Sequence, residues 1–349
     1  MYQSSKGGKI YVPLDHDARI LRSCTPKFAK SISSKYSLMS TRQVITDFSE
    51  NHGRLISRDY VQRLSEDLGH QIEQAEQRWS YTLPEAVIKE TKVVGIGRDG
   101  TTTHIKGEGY RETMSGTISF YNKNGERLHT IYQAQAPEYG KMSFDNRFTE
   151  RIEEVKANLK PLGLNKNDDC KGVSYIGLAD GAKDNWSFLE THTDVSILDF
   201  WHACEYLTLA SKMVSKSVHL QKQWLSNART RLKENENGAQ DLLDEIKTFQ
   251  KKRKFSKMAR EGLQRSITYF QNHVYQMNYF FYEKENYPIG SGVTEAACKV
   301  IVKQRLSCSG MSWTIKSAQN VLNIRALRYS GGQWQQFWTN IDKFGFHPN

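Results

Sequence analysis

A chain of 349 residues, 38% hydrophobic and 25% charged, can bury a full core and has room for two or three structural units. No apolar run approaches the roughly 20 residues of a membrane span, and the opening MYQSSKGGKIYVPLD lacks the apolar centre of a secretion signal, so a soluble, cytoplasmic protein is expected. The five cysteines, Cys24, Cys170, Cys204, Cys298 and Cys308, include no CxxC pair, which argues against a disulfide framework or a local zinc site and predicts reduced thiols.

Residues 38–79 read as helical, with Thr41 to Glu50 one segment, His52-Gly53-Arg54 a turn, and Ser57 the cap of a longer run through Trp79. The pair is open to two readings, a helix-turn-helix that enters a DNA groove or an ordinary helical hairpin. Leu83-Pro84 closes it. From Val93 the pattern changes to strands: VVGIGRDG, then SGTISFYNKNGERLHTIYQAQA with a hairpin turn at Asn122 to Gly125. A helix follows over Arg147 to Leu159, then the buried strand VSYIGLADG and the short strand VSILDF. Three strands followed by helix, strand, helix and strand form the core order of an RNase H-like fold, an α/β architecture with a mixed sheet and flanking helices.

After Phe200 roughly 85 residues read as helix in four runs, and Lys251-Lys252-Arg253-Lys254 is the sharpest basic stretch among them. A last helix over about Ile315 to Tyr329 leads to the aromatic tail GGQWQQFWTNIDKFGF. Four segments result: a helical N-terminal region, 1–90, a candidate for DNA binding; the first part of the core, 91–204; an all-helical basic insertion, 205–287; and the second part of the core, 288–349.

Three acids stand in settings that suit catalysis. Asp99 in VVGIGRDG and Asp180 in YIGLADGA each follow an apolar strand run and precede a glycine, so a buried strand would deliver each carboxylate to an edge where the chain turns. Glu295 lies in the first turns of a helix for which Ser291 is the expected N-cap. Three such carboxylates suit two Mg²⁺ ions, with Mn²⁺ as a substitute, because hard divalent cations take oxygen ligands and a pair about 4 Å apart serves in-line displacement at phosphorus. In this reading Asp99 bridges the ions and Asp180 and Glu295 hold one each.

Charge supports a phosphate substrate. The net charge is +11, yet residues 101–210 carry 12 Lys+Arg against 16 acids while 211–330 carry 21 against 9. An acidic centre beside a basic arm is what phosphodiester chemistry requires; a solvated helical surface is the alternative. Glu295, Lys299 and Lys303 recur at four-residue spacing, either an ion-pair stripe facing water or a metal ligand followed by lysines for flanking phosphates. Ala297, Val300 and Ile301 are expected to back that face against the sheet. Gly95, Gly97 and Gly100 match GxGxxG, but no helical pattern follows and a dinucleotide site is discounted.

The C-terminal block PIGSGVTEAACKVIVKQRLSCSGMSW, followed by AQNVLNIRAL and SGGQWQQFW, resembles the DDE insertion-sequence transposases of the ISKra group. The DGA turn at Asp180, the stretch LDFWHACEYL and the N-terminal PLDHDARILRSCTPKFAK are similar as well, so the resemblance covers nearly the whole chain. It implies a DNA transposase with Asp99, Asp180 and Glu295 as the triad, acting on element terminal repeats and target DNA as a homo-oligomer, in a bacterial nucleoid setting. Asp199-Phe200-Trp201-His202 is similar to the DxxH element of Mutator-like transposases. His202 would touch the scissile phosphate or donate a proton to a leaving oxygen, or serve only structurally. Arg305 and Trp313 would contact DNA or join two helices. Trp186, Trp201 and Trp224 would stack on unpaired bases or belong to the core. Relatives often carry a further N-terminal region with paired cysteines, before the point where this sequence opens. The alternatives are therefore an RNase H-like nuclease without strand transfer and a truncated, inactive DNA-binding relic. A two-carboxylate glycosidase fits the basic arm poorly.

Overall fold

The computed structural model describes Gln3, Gly7 and residues 12–160, 172–251 and 255–346. Five strands form one mixed sheet: β1 (Val93–Ile105), β2 (Gly109–Tyr121), β3 (Arg127–Gln135), β4 (Ser174–Ala179) and β5 (Val195–Leu198). Their spatial order is β3-β2-β1-β4-β5, with β1, β2 and β3 antiparallel neighbours and β4 and β5 running parallel to β1. The β2–β3 turn falls where NKNG predicts it: Asn122 Oδ1 accepts from the backbone N–H groups of Asn124 at 2.9 Å and Glu126 at 3.0 Å. Parallel neighbours need a crossover, supplied by the helix Met142–Leu159 before β4 and the short helix Lys183–Leu189 before β5.

One expectation fails at β1. The strand does not turn at Asp99-Gly100 but runs on to Ile105, and the hairpin closes at Lys106–Glu108. Thr101, Thr103 and Ile105 are buried and alternate with exposed Thr102 and His104, the period of a half-buried strand. Gly100 lies under the Glu112 side chain of β2, whose half-exposed carboxylate end a Cβ there would displace.

Two cores flank this sheet. In the first, Val94 and Ile96 pack with Phe144, Phe148 and Ile152, and the helices Phe200–Ser211, Val218–Glu234, Gly238–Thr248 and Lys257–His273 extend it. In the second, Ile105 packs with the N-terminal helices Pro26–Tyr36, Thr41–His52 and Arg58–Glu76 and with the C-terminal helices Ile315–Tyr329 and Gln333–Phe344. The N-terminal caps follow sequence logic: Ser40 and Gln43 form a capping box, Gly53 ends its helix at φ 59°, and Ser57 accepts from Tyr60 N at 3.1 Å. The helix Pro26–Tyr36 lay outside the expected helical span, although Thr25-Pro26 is a start signal. Asn320 seats against Gly69, where a Cβ would come within 2.6 Å of its Cα. The second helix of the pair thus buries one face, from Val61 to Ala75, while Arg58, Asp59, Gln62, Arg63 and His70 stay exposed. Among the described residues no helix is long and apolar enough to cross a membrane.

Candidate active site

Gly97 decides where Glu295 sits. Gly97 pairs with Thr117 across β1 and β2, and the helix Gly292–Ala297 lies over that pair, with Thr294 Oγ1 2.7 Å from Thr117 Oγ1. A Cβ on residue 97 would overlap Thr294 Oγ1 and stand 3.1 Å from Thr294 Cβ. The GIG element is therefore a helix-docking floor. One residue past Thr294, Glu295 reaches the same small cavity as Asp99, Asp180, His202 and Ser291. Its volume of about 20 Å³ suffices for a single water or ion.

Asp180 follows β4 directly, as its sequence setting predicts. Its Oδ1 accepts from Ala182 N at 3.0 Å and Asn185 Nδ2 at 3.3 Å, an Asx-type turn that aims the carboxylate. Gly181 is required by an insertion helix: a Cβ there would lie 2.5 Å from Tyr269 Cε2 and 3.1 Å from His273 Nε2. Arg98, beside Asp99, points to the other face of β1 and is 1% exposed. It donates to Asp145 Oδ1 at 2.9 Å and Asp184 Oδ2 at 3.0 Å, tying β1 to both crossover helices. Replacing it by Met removes these hydrogen bonds but leaves carboxylates that water and Lys141 can reach, so a loss of about 1–3 kcal/mol in urea unfolding is expected.

A second network was not foreseen in full. Asp199, 1% exposed, caps the helix Phe200–Ser211 through Oδ1, which accepts from His202 N at 2.8 Å, while Oδ2 accepts from Ser291 N at 2.5 Å and Ser291 Oγ at 2.9 Å. Ser291 Oγ also lies 2.9 Å from Glu295 Oε1. Ser291 thus does not cap its own helix by a side-chain bond, contrary to expectation, because Asp199 and Glu295 engage its hydroxyl. His202 Nε2 is 3.9 Å from Glu295 Oε1. Ligand atoms of Asp199, His202 and Glu295 lie within 4.8 Å of one another, a group able to hold a metal ion. Asp199 already accepts three hydrogen bonds, so its main work is to position His202 and Ser291. The signal for it was the LDFWH stretch, whose buried cap only the fold reveals.

Asp99 Oδ1 accepts from Gly100 N at 2.7 Å, and Oδ2 faces the Cys298 thiol at 3.5 Å. Burial, then the charges of Asp180 and Glu295, hold its carboxyl above the usual range, and burial likewise raises the Cys298 thiol, which stays protonated. The folded state therefore binds the Asp99 proton more tightly than the unfolded chain. That contribution to stability is complete below the ordinary carboxylate range and is lost as pH rises through the raised value. At neutral pH Asp99→Asn is expected to raise the melting temperature measured in a chelator, because it removes a crowded charge.

A wider cleft of about 610 Å³ opens from this point, walled by Asp99, Glu295, Lys299, Lys303, Gln304 and Ser307 among others. Lys299 and Lys303 share it, but not on a regular α-helix: Cys298–Lys303 is one π-helical turn, which rotates the buried stripe so that Val302 joins Ala297 and Ile301 in the core and Val300 is only half-buried. Arg305 is a correction. It is 2% exposed and donates to the Tyr36 carbonyl oxygen at 2.9 Å, so it is held inside the protein and is not a surface arm. Lys251 is exposed, whereas Lys252, Arg253 and Lys254 lie outside the described residues. Trp186 is buried and Trp224 donates to Glu245 at 2.6 Å, leaving Trp201, 65% exposed, as the accessible ring of the three.

Scanned against protein-family models the sequence matches none, and a search of curated proteins finds no match.

Proposed function

We propose that this chain is a DNA transposase of an insertion sequence, built on an RNase H-like core and dependent on divalent metal. The observation that carries the reading is the convergence of Asp99 from the middle of β1, Asp180 from the end of β4 and Glu295 from a helix docked on Gly97, all lining one cavity inside a sheet of order β3-β2-β1-β4-β5. Hard carboxylate oxygens around an ion-sized space, with Asp99 raised by burial and then by the charges of Asp180 and Glu295, fit Mg²⁺ or Mn²⁺. The space has room for one such ion, which bound there would lower the pKa of the attacking hydroxyl or neutralise charge on the leaving oxygen.

The chain's own groups do the rest. Water first cleaves the phosphodiester at an element end, leaving a 3′-hydroxyl, which then attacks a target phosphodiester and releases a new 3′-hydroxyl. Lys299 and Lys303, exposed in the wider cleft, hold flanking phosphates. His202, backed by its Asp199-capped helix, faces Glu295 where it donates a proton to the leaving oxygen. Pairing of two element ends calls for at least two protomers.

The test is incubation of the purified chain with Mg²⁺ or Mn²⁺, DNA carrying the source element's ends, and a target plasmid. Joined products from a pre-cut end are expected; cleavage without joining would favour a nuclease, and binding without either would favour an inactive relic.

A further inference from the structure

The three most enclosed guanidinium groups differ in how their charge is met. Arg98 faces carboxylates, and Arg325 gives its donors to the carbonyl oxygens of Ile301, Val300 and Ser37. Arg305 sits between the rings of Tyr36 and Trp313, 4.8 Å from each centroid. Beyond the Tyr36 carbonyl its partner is the thioether of Met311 at 3.0 Å from Nη1, a weak acceptor for a charged donor. No described carboxylate pairs with it or acts on its charge. A buried cation left this way is costly unless an anion joins it.

Arg305 lines a cleft of about 300 Å³ whose wall, among the described residues, includes no Asp or Glu. Three helices of more than eight residues start at its wall, represented there by Thr41, Arg58 and Ser317, and helix starts carry partial positive charge. Arg42 and Arg58 stand exposed at the rim, and neither forms an ion pair with a described carboxylate. One stretch of chain contributes to both clefts: Lys303, Gln304 and Ser307 line the wider one by Glu295, and Arg305 and Ser309 line this one.

We propose that this cleft is a phosphate-binding site and that its occupant is a backbone phosphodiester of the DNA lying across the catalytic cleft. The phosphate rests on Arg305, which no described carboxylate neutralises, and on the acid-free wall; the step to DNA rests on the transposase reading and on the neighbouring stretches of chain that line the two clefts. Arg42 and Arg58 meet the phosphate oxygens from the rim, and Arg305 from the floor.

Two measurements on the full chain and on Arg42→Ala/Arg58→Ala test this. Both side chains are exposed and unpaired, so the double variant is expected to fold and melt as the parent does. In fluorescence anisotropy with a labelled duplex bearing an element end, the variant should bind about tenfold more weakly near physiological salt, and its plot of log affinity against log salt should be shallower by about one to two. In thermal unfolding, inorganic phosphate is compared with chloride at equal ionic strength. Weaker DNA binding with a shallower slope supports the backbone phosphodiester. Unchanged DNA binding with a phosphate-specific stabilisation that the variant loses supports a free phosphate as the occupant and overturns the DNA assignment. No change in either measurement overturns the site. A parent that fails to bind DNA sinks the transposase reading, and the phosphate arm then decides this cleft by itself.

Discussion

Glu295→Gln is expected to abolish both cleavage and joining while leaving the fold intact. The amide keeps the size of the side chain and can still meet Ser291 Oγ, now 2.9 Å from Glu295 Oε1, so the helix Gly292–Ala297 has no reason to leave β1. What is lost is one anionic oxygen donor beside Asp99. Losing several kcal/mol of charge stabilisation at phosphorus corresponds to a fall of roughly 10³-fold or more in rate. The check is a time course on element-end DNA with Mg²⁺, read together with the melting temperature with and without Mg²⁺. Retained stabilisation by Mg²⁺ together with retained cleavage would remove Glu295 from the site. Asp199→Asn makes an informative companion, since it alters a carboxylate already holding three hydrogen bonds. If Asp199 only positions, its loss should shift the pH profile and the apparent Mg²⁺ requirement without the full collapse seen at Glu295.

Gly97→Ala should be nearly as damaging, by a wholly steric route. The added methyl would overlap Thr294 Oγ1 and stand 3.0 Å from Thr117 Oγ1, and both threonines are buried, at 2% exposure each. Neither can swing into solvent, so the helix must lift from the sheet. Overpacking of this kind costs about 1–3 kcal/mol, and a displacement of about 1 Å at reacting groups costs on the order of 10²-fold in rate. Urea unfolding and the cleavage assay give the two readouts. Adding Thr294→Ala removes the overlapping oxygen and should recover part of both; no recovery would place the damage elsewhere than at this contact.

Local signals reached far into this chain where the deciding forces are themselves local. Ser40, Ser57 and Gly53 bound their helices by bonds made within a few residues, Asn122 closes its hairpin on Glu126, and the apolar run before Asp180 forms a strand that ends just short of it. The alternation of strand and helix that defines a mixed α/β sheet was legible for the same reason. Gly100 misled because Asp-Gly is a turn signal, and nothing within reach along the chain says that Glu112 of the neighbouring strand fills the space above it. The period of Glu295, Lys299 and Lys303 could be read, but not the π-helical turn that moves Val302 inward.

The residue types of the candidate site, the delivery of Asp180 by a strand end and of Glu295 by a helix start, and the basic surroundings were determined by the sequence itself, since these follow from propensity, capping and charge. Tertiary structure alone decided that Gly97 is the floor on which Glu295 docks, that Asp199 is spent on His202 and Ser291, and that Arg305 lies beneath a cleft and not on a surface. Each of these depends on which side chain arrives from a distant part of the chain, and burial and steric fit carry no trace in the spacing of neighbouring residues.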